Sequence, residues 1–253
     1  LFRSSVIQWQ WKEDVFPECD QFNGIHEGLV QSWKDIFPKK GEIYFAGALE
    51  NNEDTGTLQY LASTAMEAGF STRVLDMQAL DLQNGRFFDP AGELVNRCFK
   101  LYPWEWMVDE SPDGCLAEME WLEPIWKLVM SNKAILATLY ELFPDSPYVL
   151  PCYLSRPRSG LFCKKPVFSR EGHNVSVVDI RNWEEHVRIA ETEGDYNTGA
   201  YVYQEYVEPT VYSGRYPVIG SWIIGGEAAG IGIRENRMEV TDNLSEFVPH
   251  IIG

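Results

Sequence analysis

The sequence predicts an α/β chain with α+β elements, built from a βαβ region in the first half and a β-rich region in the second. Three observations carry this. Strand-like runs at 42–49 and 72–75 flank a helical stretch at 57–68, an order usually solved as a parallel sheet. Pro144, Pro147 and Pro151 close a helical stretch and open a series of strand-like runs. Hydrophobic residues make up 45% of the 253, with nine Trp, twelve Tyr and thirteen Phe, enough for a packed core despite a net charge of −17.

In chain order, residues 20–37 read as an amphipathic helix, with Phe22, Ile25, Leu29, Trp33 and Ile36 at helical spacing, ended by Gly41. Gly69 is placed to close the 57–68 helix as a C-cap. Residues 81–92 read as a short hairpin around Asn84-Gly85. Pro103, Pro112 and Gly114 punctuate the next stretch, and a boundary is expected at 109–114, giving domains 1–110 and 111–253. Helical periodicity then covers 116–143 with interruptions. Strands are expected at 161–167 and 174–180, joined by the 169–173 loop, then a helix at 182–193. Further strands are expected at 201–207, 218–224 and 228–234, the last two joined by Gly225-Gly226-Glu227.

The bulk properties narrow the function. Nucleic acid is an unsuitable partner for a chain of charge −17 without clustered Lys and Arg. Five cysteines without a C-x-x-C pair argue against a disulfide framework or zinc ribbon and suit a reducing, cytoplasmic setting. No apolar run approaches the ~18 residues of a membrane span, and no signal pattern precedes the first helix. The chain opens on Leu1, as expected of a segment of a longer protein. Dinucleotide, P-loop, nucleophile-elbow and zinc-protease motifs are absent, and His26, His173, His186 and His250 are too scattered to suggest a metal cluster.

Four features remain as candidates. The loop Ser169-Arg170-Glu171-Gly172-His173-Asn174, led in by Lys164 and Lys165, gathers donors that can fold over phosphate; an ordinary charged hairpin is the competing reading. Lys133 follows Ser131-Asn132 at a helix start, where a cation opposes the helix dipole unless it reaches an anion; a solvated lysine is the alternative. In the strand at 228–234, Ala228, Gly230, Gly232 and Arg234 share one nearly bare face, which suits either close approach of a ligand or tight packing. Acidic residues gather at Glu50, Glu53 and Asp54 and at Glu235, Glu239, Asp242 and Glu246, suited to a polycation or Mg²⁺, or to a solvated face.

Several segments together resemble the glutathionylspermidine synthase family, in particular its synthetase domain and its single-domain acid–amine ligase branch. They are Val6-Ile7-Gln8-Trp9-Gln10-Trp11, Asp20-Gln21-Phe22-Asn23, Lys100-Leu101-Tyr102-Pro103-Trp104-Glu105, residues 165–172, Tyr203-Gln204, residues 225–235 and Phe247-Val248-Pro249-His250. The resemblance implies a pre-ATP-grasp, substrate-binding region at 1–110 and an ATP-grasp domain at 111–253. It implies an ADP-producing ligase that joins a carboxylate, such as a glutathione-like peptide, to an amine or polyamine through an acyl phosphate, using ATP and Mg²⁺. Lys133 and Lys165 then bind ATP phosphates, and Glu171 and Gly172 sit in a lid over them. Gln204, Tyr206, Val207, Val218 and Val240 surround adenine. Arg170 and Arg234 are the catalytic residues, stabilising charge on the transferring phosphoryl group. Glu53, Asp54 and Glu246 face the substrates.

Two departures qualify the carry-over. Leu101 and Trp106 stand where the glutathione-using enzymes carry threonines, which places glutathione itself in question. The family's Mg²⁺ ligands, an Asp and a Glu-x-Asn, precede the Val-x-Gln-Trp-Gln-Trp segment, so this chain is expected to lack them. A non-catalytic ATP-grasp-like domain that binds nucleotide or peptide is the alternative function.

Overall fold

The computed structural model describes residues 1–189, 191–196, 199–240 and 245–253. The chain divides into two compact units: Leu1–Ile125 with Ile219–Ile233 and Phe247–Gly253, and Trp126–Val218 with Arg234–Glu246. The expected domain boundary at 110/111 falls inside the first of these.

The first unit opens with a π-helical turn, Arg3–Ile7, and helix α1, Gln8–Val15. Helix α2, Ile25–Ile36, leads to strand β1, Glu42–Gly47, helix α3, Asn52–Glu67, and strand β2, Ser71–Asp76. β1 and β2 pair in parallel from Glu42↔Ser71 to Gly47↔Asp76, as the βαβ order predicts. α3 starts where the Asn51 side chain accepts from the backbone N–H groups of Glu53 and Asp54, a turn before the expected start at Thr57. It closes at Gly69, φ +92°, where the Phe70 amide returns to the Ala65 carbonyl at 3.0 Å.

The core forms where α2 and α3 meet the sheet: Val30, Trp33, Ile43, Phe45, Leu58, Leu61 and Ala65 are all buried together. Trp33 packs edge-on against Phe45 at 5.5 Å and donates its indole N–H to Thr64 Oγ1 at 2.9 Å, so its polar atom is satisfied inside an apolar layer.

Next come β3, Asp81–Gln83, β4, Arg86–Phe88, and β5, Leu94–Val95, a small antiparallel sheet. Its first turn is Asn84-Gly85 with φ of 50° and 75°, as the dipeptide predicts. Strand β6, Arg97–Leu101, joins β1 in parallel, followed by short helices α4, Trp104–Glu110, and α5, Pro112–Cys115. Strand β7, Glu120–Leu122, completes the parallel sheet in the order β2-β1-β6-β7.

The second unit holds α6, Leu128–Ser131, α7, Ala134–Leu142, and strands β8, Cys152–Tyr153, β9, Gly160–Pro166, β10, Ser176–Arg181, β11, Glu184–Ile189, and β12, Tyr201–Glu205. These strands form one antiparallel sheet in the order β11-β10-β9-β12-β8. The chain ends through β13, Tyr216–Ile224, β14, Glu227–Asn236, and β15, Glu246–Val248, a three-stranded sheet in that order.

Three expectations require correction. The helix expected at 20–37 begins only at Ile25, because Asp20 exchanges backbone hydrogen bonds with Ile252 and Gly24 donates to the Ala229 carbonyl at 2.7 Å. Within the expected helical stretch 116–143, Glu120–Leu122 is a strand: Cys98 pairs with Trp121, whose ring is buried against Phe87 and Trp104. The expected helix at 182–193 is instead β11, hairpinned to β10 through Asn182 and Trp183, both at positive φ. Its residues have fair helix propensity, but pairing with β10 overrides it.

Candidate functional site

The second unit's sheet sorts its side chains by face. Val177 lies opposite Cys163, Val202 opposite Lys165 and Gln204 opposite Cys163. Opposed residues share a face and side chains alternate along a strand, so Cys163, Lys165, Val175, Val177 and Gln204 point one way. Phe162, Val178, Ile180 and Tyr203 point the other way and form a buried cluster. Helix α7 covers part of the first face, where Ala137 packs with Cys152 and Val202. The uncovered part is the floor of a cavity of about 320 Å³.

The cavity is lined by Lys133, Cys163, Lys165, Ser169, Arg170, Glu171, Gly172, Val175, Val177, Tyr206, Glu239 and Val240. Asn132 caps α7 by accepting from the Ala134 amide at 2.9 Å. The Lys133 amide donates to the Val167 carbonyl at 2.8 Å, which sets this lysine beside the end of β9. Its ammonium reaches the Ser169 carbonyl and hydroxyl oxygens at 2.5 and 2.9 Å. Lys165 donates to Gln204 Oε1 at 2.8 Å.

Between β9 and β10 the loop turns through Glu171, Gly172 and Asn174, at φ of 56°, 74° and 53°. Asn174 anchors it by accepting from the Tyr196 amide at 2.8 Å and donating to Glu191 at 3.0 Å. Thr192 adds a hydrogen bond to the Gly172 carbonyl. Two cations, a guanidinium and turn amides therefore surround one end of the cavity, a donor set suited to phosphate.

At the other end, the Tyr206 amide donates to the Leu161 carbonyl at 3.0 Å, and its hydroxyl donates to the Glu239 carboxylate. Burial first, then that carboxylate, pushes the Tyr206 pKa far up, so the hydroxyl stays a donor. Burial also raises the Cys163 thiol, keeping it an inert lining group.

The structure thus brings together Lys133, Lys165, Arg170, Glu171, Gly172, Tyr206 and Val240, with Gln204 in contact through Lys165. Arg234, Val207 and Val218 are exposed and do not line the cavity. Glu246 pairs with Arg215 at 2.8 Å. Glu53 and Asp54 lie in the first unit, at the start of α3 just after the carboxyl end of β1, an edge where parallel sheets commonly take ligands.

Sequence reasoning named Ser169 as a loop donor, passed over Cys163, Val175 and Val177 as lining residues, and placed Glu239 only within an acidic group. The alternation of Cys163 with Lys165 and of Val175 with Val177 was a readable signal; nothing local pointed Glu239 toward Tyr206. The bare face of 228–232 is filled by packing: a Cβ on Gly230 would stand 3.0 Å from Ile25 Cγ1, and one on Gly232 2.5 Å from Ser4 Oγ.

Among the described residues no three His, Cys, Asp or Glu side chains gather as a metal site, and Asp242, one of the acids considered for Mg²⁺, lies outside them. The described residues do not build a Mg²⁺ site.

The first unit has a larger cleft, about 670 Å³, at the amino edge of its parallel sheet, lined by Lys40, Glu42, Tyr44, Asn96, Arg97, Glu118 and Glu120 among others. Its ionic groups are largely paired with one another: Arg97 with Glu120 at 2.6 Å, Glu42 with Arg73 at 2.7 Å and Glu118 with Arg86 at 2.8 Å. At the opposite edge Lys100 is buried, donates to the Tyr102 carbonyl at 2.7 Å and lies 3.9 Å from the Trp104 ring centre. Burial lowers its pKa to about 8, although Glu123 and Glu105 pull the other way.

A parallel βαβ sheet, followed by an antiparallel sheet whose open face carries lysines and a glycine loop, is the layout of a pre-ATP-grasp region joined to an ATP-grasp-like fold. Comparison with known proteins agrees. Residues 1–253 match the family described as "Glutathionylspermidine synthase preATP-grasp". The chain is 35% identical to the "Putative acid--amine ligase" of Haemophilus influenzae over 99% of its own length and 67% of that protein. It is 27% identical to trypanothione synthetase of Crithidia fasciculata, over 98% of this chain and 42% of that one. With the bifunctional glutathionylspermidine synthetase/amidase of Escherichia coli it shares 26% identity over 98% and 44% of the two chains. The solved "Putative gamma-glutamylcysteine synthetase" of Methylobacillus flagellatus shares the fold, with a TM-score of 0.50, 9% identity and 97% and 83% coverage. The chain belongs to the glutathionylspermidine synthase family. It spans less than half the length of the Crithidia and Escherichia relatives. No helix among the described residues is long and apolar enough to cross a membrane.

Proposed function

We propose that the second unit's cavity binds ATP and that the protein is a carbon–nitrogen ligase joining a carboxylate to an amine. The observation that carries this reading is the convergence of Lys133, Lys165, Arg170 and the Gly172 turn on one end of a cavity whose floor is apolar. Polyphosphate needs cations and amide donors, and a purine ring needs an apolar bed.

In the proposed reaction a carboxylate oxygen of the acid attacks the γ-phosphorus, the bond to the bridging oxygen breaks, and ADP leaves. The amine nitrogen then attacks the acyl carbon, phosphate departs, and the amine gives up a proton. Lys133 and Lys165 hold and orient the phosphates. Arg170 offsets the charge that develops on the transferring group, and the loop bearing Glu171 and Gly172 excludes water. Such chemistry runs on positioning and electrostatics and requires no nucleophile from the protein. Mg²⁺ would neutralise phosphate charge, and among the described residues that charge is met by Lys133, Lys165 and Arg170.

Glu53 and Asp54 are proposed to face the acid or amine substrates, and the acidic chain suits a polyamine as the amine. A glutathione-like peptide is the proposed class of acid, by analogy with the named relatives.

The test is calorimetric titration of this chain with a non-hydrolysable ATP analogue, followed by ADP release by the full-length protein across a panel of carboxylates with and without spermidine. Saturable binding, lost in Lys165→Ala and Lys133→Ala, supports the nucleotide site; unchanged binding in both removes it. ADP release independent of acid and amine would refute the ligase.

A further inference from the structure

The cavity has two chemically different ends, and strand register measures their separation. Lys165 lies at one end of β9. The Tyr206 amide bonds to Leu161, four residues back along the same strand. At ~3.3 Å per residue this is ~13 Å. The lysine end carries donors and positive charge. The Tyr206 end carries a carboxylate, Glu239, with its chain neighbour Val240, and Val177, opposite Cys163, lies on the floor between. A ligand that fits is an anion at one end and a flat apolar ring at the other, and the ring must tolerate a negatively charged acceptor.

Glu239 is held in place. It takes the Tyr206 hydroxyl as a donor, and burial keeps that hydroxyl protonated. One hydrogen bond uses one lone-pair site of a group that has about four. The carboxylate therefore keeps acceptor capacity toward the cavity it lines.

Resting on the nucleotide reading above, we propose that Glu239, oriented by Tyr206, is the residue that selects the base: it accepts the exocyclic amine of adenine and repels the 6-oxo group of guanine. Adenine presents N6–H donors where guanine presents the O6 acceptor, so a fixed carboxylate favours one and opposes the other. An amide in its place loses the discrimination, because it can turn its NH₂ to O6 or its oxygen to N6. Tyr206 is a positioning residue: without its hydroxyl the carboxylate is no longer aimed.

The experiment is competition titration of this chain with non-hydrolysable ATP and GTP analogues, for the wild type, Glu239→Gln and Tyr206→Phe, with a thermal melt of each to confirm folding. The wild type is expected to prefer the adenine analogue tenfold or more, Glu239→Gln to bring the ratio close to one chiefly by tightening the guanine analogue, and Tyr206→Phe to fall between. A wild type that binds both equally, or a Glu239→Gln protein that keeps the wild-type ratio, overturns base selection by Glu239 while leaving a nucleotide site intact. A wild type that binds neither analogue overturns both this proposal and the nucleotide reading beneath it.

Discussion

In the first unit's cleft, Arg97 faces Glu120 and the carboxylates of Glu42 and Glu118 are taken by Arg73 and Arg86; Lys40 alone turns to neutral partners, the Ala68 carbonyl and the Phe70 ring. In the second unit's cavity, half the size, Lys165 is held by the amide oxygen of Gln204 at 2.8 Å. The difference bears on which concavity suits an anionic ligand. A cation already paired with a carboxylate has its field cancelled, and an anionic ligand must break that pair to use it. A cation held by a neutral dipole is oriented but keeps its charge. Size is the poorer guide here.

The strongest way to break this comparison is Lys165→Ala. A charge-assisted hydrogen bond is worth roughly 1.5–3 kcal/mol, so ATP-analogue affinity is expected to fall about ten- to a hundredfold by calorimetry. Arg97→Gln, in the larger cleft, is expected to leave that affinity unchanged; a comparable loss there would refute the distinction.

Lys100 carries the comparison into the first unit, since it too rests on a neutral oxygen but is buried. Its folded pKa of about 8 lies below the ordinary 10.5. Between those values the unfolded chain holds more protons on this group than the folded one, so stability contributed by Lys100 rises with pH through the window and the burial penalty is full below it. Cys98, pushed up to about 12, acts in the opposite direction once an unfolded thiol ionises. Urea melts of wild type and Lys100→Met should therefore differ most at pH 7 and converge toward pH 10; a constant difference would mean that Lys100 is not buried as a titrating group.

Smaller effects sharpen the same point. Gln204→Leu removes the dipole that aims Lys165, and nucleotide affinity is expected to drop about three- to tenfold, short of the loss in Lys165→Ala, since an unaimed lysine still attracts phosphate. The smallest effect belongs to Glu120→Gln. The carboxylate is exposed, so its pair with Arg97 is worth about 0–1 kcal/mol, and thermal melting should move by only a few degrees.

Much of the fold was legible in the chain because its signals are local. Asn51, Gly69 and Asn84-Gly85 act within a turn of themselves, and the βαβ order implies parallel pairing. Lys133, Lys165, Arg170 and Gly172 were readable as a group through motif resemblance, and the alternation along β9 explains why Lys165 and Cys163, but not Lys164, meet the cavity. Lys164 instead pairs with Glu185 at 2.8 Å on the opposite face.

By itself, then, the sequence determined the βαβ order of the first half, the turns at Gly69 and Asn84-Gly85, the family and the lysines that frame the candidate site. Only the tertiary structure decided that Glu184–Ile189 is a strand, that Gly230 and Gly232 admit Ile25 and Ser4 in place of a ligand, and that Glu239 meets Tyr206. The physical reason is range: caps and turns draw their free energy from neighbours in the chain, whereas an edge strand, a bare face and a distant carboxylate take their meaning from partners that folding alone brings near.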